Sequence, residues 1–165
     1  MLLLLVFAAG CSADNGSEPS THEAPETTGS TDAPRDLRVQ RLSSDAPGQG
    51  PERPRVVVAS SAAALSDATG ANIPSSGRGT YLAAYWGEKP TGGYSMAVRS
   101  ARLEGDVVTV RLSLKEPPPD AILTQVLTYP YAVAFVQGVS PEGKDFSFVS
   151  GEGRKLGWQI RRAGG

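Results

Sequence analysis

Side-chain chemistry starts from a nucleophile, a proton acceptor or a metal ligand, and this 165-residue chain holds a single histidine, His22, and a single cysteine, Cys11. Serine and cysteine nucleophiles usually hand their proton to an imidazole, and zinc is held mostly by His and Cys. Neither residue type occurs after Arg55, so what remains there is a Ser-Lys pair or carboxylates of unequal pKa. The candidate acids are Glu88, Glu104, Asp106, Glu116 and Asp120, each at an expected strand end or turn, where acids sit solvated. These residues predict no enzyme, no cofactor and no metal site. An envelope hydrolase working through carboxylates or a Ser-Lys pair is the competing reading.

Cys11 has its own context. Met1 to Ala9 is an apolar run ending in the small residues Ala8, Ala9 and Gly10, too short to span a bilayer and patterned as a signal peptide over residues 1–10. Ala8-Ala9-Gly10-Cys11 resembles the bacterial lipobox, although Ala8 stands where that motif usually has leucine. The resemblance implies acylation of Cys11 and a lipid-anchored, extracytoplasmic location, on the outer face of the cytoplasmic membrane or on the outer membrane. More than one acyl chain gives stable anchoring. A lone cysteine also rules out an intramolecular disulfide, so the core alone must hold the fold.

Residues 11–54 are dominated by Ser, Thr, Gly, Pro, Asp and Glu and read as a disordered tether. Within it Leu37, Val39 and Leu42 form either a short strand or docking segment, or an unstructured patch. Ser12 to Arg53 carries 8 acidic and 4 basic residues, leaving 9 acidic and 12 basic in the remainder. That small surplus is not the basic footprint of a nucleic-acid binder.

The domain is expected over residues 55–165. Val56 to Ala59 reads as a strand, then Ser60 or Ser61 caps a helix over Ala62 to Ala68 that stops at Gly70. Thr80 to Trp86 reads as a central strand covered on both faces, with Tyr81, Ala83 and Tyr85 on one side. Tyr94 to Leu103 and Val108 to Leu114 form a hairpin turning at Gly105-Asp106, with a bulge near Arg99 or Ser100. Leu123 to Tyr129 and Tyr131 to Gln137 are two further strands, and Phe146 to Val149 pairs with Trp158 to Arg162 in a last hairpin. The expected fold is mainly β, a β-rich α+β small antiparallel sandwich or open barrel with one short helix.

Two segments stand out. Lys89-Pro90-Thr91-Gly92-Gly93-Tyr94 is a structured reversal, since Pro90 fixes φ and the glycine pair permits positive φ. Tyr129-Pro130-Tyr131 places two aromatics around a proline. With the hairpin, the Pro-rich loop Glu116 to Asp120 and Gln125 to Tyr131, they resemble the PrcB-like C-terminal domain over about Tyr81 to Val136. That resemblance implies a non-catalytic role, the family being named for a lipoprotein that stabilises a surface protease complex. Its expected partner-binding or structural residues are Pro90, Thr91, Gly92, Gly93, Tyr94, Gln125, Tyr129, Pro130 and Tyr131. The expected partners are the membrane, through acyl chains on Cys11, and an envelope protein, which the resemblance implies is a protease complex. A protease inhibitor presenting the Ile73 to Gly79 loop is a third reading.

Overall fold

A computed structural model describes residues 33–42 and 50–164. Cys11, His22 and the expected signal peptide lie outside the described residues. Nine strands and one helix follow in chain order: β1 Arg35–Leu37, β2 Val39–Leu42, β3 Arg55–Ala59, α1 Ala62–Thr69, β4 Gly79–Tyr85, β5 Ser95–Glu104, β6 Val107–Lys115, β7 Tyr131–Gln137, β8 Asp145–Val149 and β9 Gln159–Ala163. They form two stacked sheets, ordered β1-β5-β6-β8 and β2-β7-β4-β3-β9. The result is a β-rich sandwich with one short helix and no closed barrel.

Period-two alternation builds the core. Leu82 and Ala84 of β4 face Val98, Val108, Val110, Leu112 and Phe148 of the opposite sheet, all buried. The other phase of β4, Tyr81, Ala83 and Tyr85, packs under α1 with Leu65, Val57 and Phe135. A strand buried on both faces must read as continuous hydrophobic sequence, which is why Thr80 to Trp86 shows no polar phase. Ser61 caps α1 by accepting the Ala64 amide at 3.1 Å, and Gly70 ends it in the left-handed region at φ 70°. The hairpin β5–β6 turns at Gly105, and its register slips between Val98 and Ser100 as the change of apolar phase demands.

One alternative is resolved and three expectations are corrected. Of the readings left open for Leu37, Val39 and Leu42, the short strand is the one found: β1 pairs with Ala101 to Leu103 of one sheet and β2 with Val133 to Val136 of the other, so the segment laces the sandwich along one side. Leu37 is buried there, enough apolar surface to order a short strap that polar composition alone would leave loose. The sheets are mixed, because β8 runs parallel to β6 and β9 parallel to β3. The last two strands are therefore no hairpin: Phe146 and Phe148 fill the inter-sheet core while β9 joins the other sheet, and the connection between them crosses layers. Finally, Leu123 to Tyr129 forms no strand. Both edges of β7 are taken, by β4 and β2, so the segment finds only an isolated bridge from Thr128 to Lys89.

Topology gives the sandwich two distinct ends. Arg35 lies beside Leu103 and donates to the Gly138 carbonyl, so the preceding chain leaves from the end that also holds the Gly105 turn. We call this the proximal pole. The strands β5, β6 and β7 carry the chain to Ser95, Lys115 and Tyr131 at the distal pole, roughly 25 Å away along β5 at strand rise.

Candidate aromatic-proline site

At the distal pole β4 ends at Tyr85, Trp86 follows it buried against the sandwich, and Gly87 turns the chain at φ 83°. No side chain fits at Gly87, where a Cβ would sit 2.7 Å from the Glu52 carbonyl oxygen. The loop returns Lys89 over Trp86, its ammonium 4.5 Å from the ring centroid and 5.5 Å from that of Tyr94. Trp86 and Tyr94 meet edge to face at 5.5 Å. The half-buried lysine, its ammonium over two rings, clamps the reversal in place.

The second segment locks onto the first. The amides of Lys89 and Thr128 each donate to the other's carbonyl, at 2.8 and 2.9 Å, and the Thr128 hydroxyl donates to the Thr91 carbonyl at 2.8 Å. Trp86 donates its amide to the Pro130 carbonyl. Tyr131 then stacks on Tyr85, with centroids 6.3 Å apart. The structure thus brings Pro90 to Tyr94 and Tyr129 to Tyr131 side by side. Gly93, at φ 85°, leaves room where a Cβ would meet Pro117 at 2.9 Å, and that close approach seats the Pro-rich loop. Gln125 is exposed on that loop, apart from the aromatic cluster.

Between the segments lies a shallow groove of about 280 Å³ lined by Tyr94, Met96, Tyr129 and Tyr131, beside a second of about 330 Å³ that shares Met96 and Tyr131. Tyr129 donates its hydroxyl to Glu88 Oε2 at 2.8 Å, and this bond to a carboxylate is the main cause that raises the phenol above its ordinary value. A raised folded-state value means that the bond's contribution to stability is complete below the unfolded pKa, about 10, and is lost as pH climbs through the folded one. Burial raises the Tyr85 phenol as well, so ultraviolet titration should find two tyrosinates forming late, and Glu88→Gln should move only the Tyr129 midpoint downward; two unchanged midpoints would contradict the bond.

The expected carboxylates lie apart. Glu88 is engaged with Tyr129, Asp106 pairs with Lys144 at the proximal pole, and Glu104, Glu116 and Asp120 are exposed. The two glutamates held below their ordinary range are others, Glu142 and Glu152, each hydrogen-bonded by a serine two residues earlier, Ser140 and Ser150. No group of three or more His, Cys, Asp or Glu able to hold a metal occurs among the described residues. In the Ile73 to Gly79 loop, Ile73 is buried, and Tyr81 pins the tip by accepting the Ser76 amide and donating to the Gly77 carbonyl.

Sequence reasoning missed the clamp formed by Trp86 and Lys89, and it missed that the Pro-rich loop displays Ile122, Val126 and Leu127 to solvent. The first left a signal, a tryptophan three residues before a lysine across a glycine turn. The second left none, since the same alternation describes a paired strand.

Residues 80–137, from β4 through β7 and less than half of the chain, match the family model described as PrcB C-terminal. No curated protein and no solved structure matches the chain.

Proposed function

Starting from a chain that carries a PrcB-like C-terminal domain matched over residues 80–137, we propose that this protein is a lipid-anchored, extracytoplasmic binding module, non-catalytic, that assembles with and stabilises an envelope protein complex, a protease complex being the case the family suggests. The observation that carries the reading is the junction of the Pro90 to Tyr94 turn with Tyr129 to Tyr131. It spends an aromatic clamp and reciprocal backbone bonds on shaping a surface groove at the end of the sandwich. Rigid aromatic side chains beside a shallow groove are what protein contacts favour, because they bury large area at small entropic cost. Cys11 supplies the anchor in this reading, and residues upstream of the strap supply the reach.

Affinity purification of the tagged full-length chain from its own envelope tests the proposal. The expected result is a specific co-purifying protein that falls at least tenfold with Tyr94→Ala plus Tyr131→Ala, while Tyr131→Phe, which keeps the stack on Tyr85, retains it. Thermal melts of each variant separate lost contact from lost fold. Undiminished capture by a folded double variant would contradict the assignment of the surface, and purified chain that turns over a substrate would contradict the non-catalytic reading.

A further inference from the structure

We infer that the loop 116–128 is the apolar anchor of the interface at the distal pole, inserting Ile122, Val126 and Leu127 into an apolar pocket with a basic rim on a folded protein partner. The inference rests on the binding-module reading above and adds which element makes the contact and what chemistry receives it.

Exposure identifies the element. Ile122 is 102% exposed, Leu127 57% and Val126 49%, the three most exposed large hydrophobic side chains among the described residues, and they fall within six positions of one loop. Scattered exposed aliphatics are ordinary; three on one loop beside an aromatic groove form a patch.

The loop is also held in shape. The Ala121 amide closes a turn onto the Pro118 carbonyl, and Val126 donates to Thr124. At its base, Pro117 and Leu123 pack against the Gly93 position, and Thr128 is bonded to Lys89 and Thr91. Leu123 therefore turns inward while Ile122, Val126 and Leu127 stay out. An apolar loop fixed by its own prolines and backbone bonds loses little freedom on docking, which is what makes such side chains effective anchors.

Charge and position select the occupant. Residues 116–128 contain Glu116 and Asp120 and no Lys or Arg, a formal charge of -2. An anionic lipid surface repels that loop, because membrane-docking segments flank their apolar residues with Lys and Arg. A second copy docked loop to loop would bring the same acids together. A protein pocket rimmed by basic residues fits both features. The loop also projects from the pole opposite the one where Arg35 receives the preceding chain, so a tether pulling from that side presents it away from its attachment.

Site-specific photo-crosslinking in the native envelope tests this, with a benzophenone amino acid placed singly in the full-length chain at positions 122, 126 and 127, and at Asp67 and Arg102 as exposed controls outside the loop. The expected result is one and the same protein crosslinked from all three loop positions and from neither control. Its yield from position 122 should fall at least tenfold with Leu127→Asp and severalfold with Glu116→Lys plus Asp120→Lys, with thermal midpoints unchanged because these side chains are exposed. Phospholipid adducts, or a dimer of this chain, from the loop positions would overturn the inference. So would a partner that crosslinks only from Asp67 or Arg102, a result that leaves the binding-module reading standing. Absence of any crosslinked protein from all five positions would count against both.

Discussion

A chain that begins at Arg55 is expected to be less stable than one that begins at Ala33 by on the order of 3 kcal/mol, a fall in melting midpoint of roughly 10 °C for a domain of this size. The loss follows from what the strap does. Leu37 is buried in the inter-sheet core, Val39 packs at its edge, and Leu42 packs on the face beneath α1. Removing β1 and β2 also uncovers the edges of β5 and β7 together, stripping ladder bonds from both sheets. Unpaired strand edges invite association, so the shorter chain should also form larger species at high concentration. Thermal denaturation and light scattering of the two chains check this. Equal midpoints would mean that the strap is a passenger.

Trp86→Ala should cost about 3–5 kcal/mol, the range for deleting a buried indole. More than volume is lost there. The indole is the floor beneath Lys89 and the edge partner of Tyr94, so its removal frees the reversal that holds Thr128 and the Pro-rich loop. Lys89→Gln removes only the charge over the rings and should cost less than about 1 kcal/mol. Denaturant unfolding separates the two: a large shift for Trp86→Ala with a small one for Lys89→Gln fits the structure. Equal shifts would place the ammonium rather than the indole at the heart of the clamp.

The parts of the fold that were legible are those in which local pattern and tertiary partner agree. Val108, Val110, Leu112 and Leu114 alternate with polar residues because β6 pairs with its immediate neighbour, and the slip from Val98 to Ala101 is the bulge itself. Likewise Ser61 and Gly70 mark the helix because caps are local chemistry. What was hidden depends on distant partners. Nothing in Phe146 to Val149 tells whether its neighbour is β6 or the next strand along, since parallel pairing is decided by a crossover, here the 29 residues from 116 to 144. The strap was obscured because a short edge strand with one buried leucine among arginines and glutamine carries little hydrophobic signal. The loop at Leu123 to Tyr129 erred in the opposite direction: its alternation is strand-like, yet β7, the strand it leads into, already has a partner on each edge.

The candidate site divides the same way. Pro90, Gly93 and the Tyr129 to Tyr131 segment were visible from residue type, since the positive φ of Gly93 and the fixed φ of the prolines are properties of single residues, while Gly92 takes no positive φ. Their meeting was not, because it needs β4 and β7 to lie side by side and finish at the same end. Exposure of Ile122, Val126 and Leu127 is a property of the assembled surface and has no counterpart in the sequence pattern.

Amide hydrogen exchange on the purified complex, compared with the free chain, is the most direct measurement of whether this protein works through its distal pole. Slowed exchange concentrated at residues 88–94 and 116–131, with the proximal residues 104–107 and 138–145 unchanged, is the predicted result. Protection confined to the proximal residues, with the aromatic turn and the Pro-rich loop exchanging as in the free chain, would contradict it.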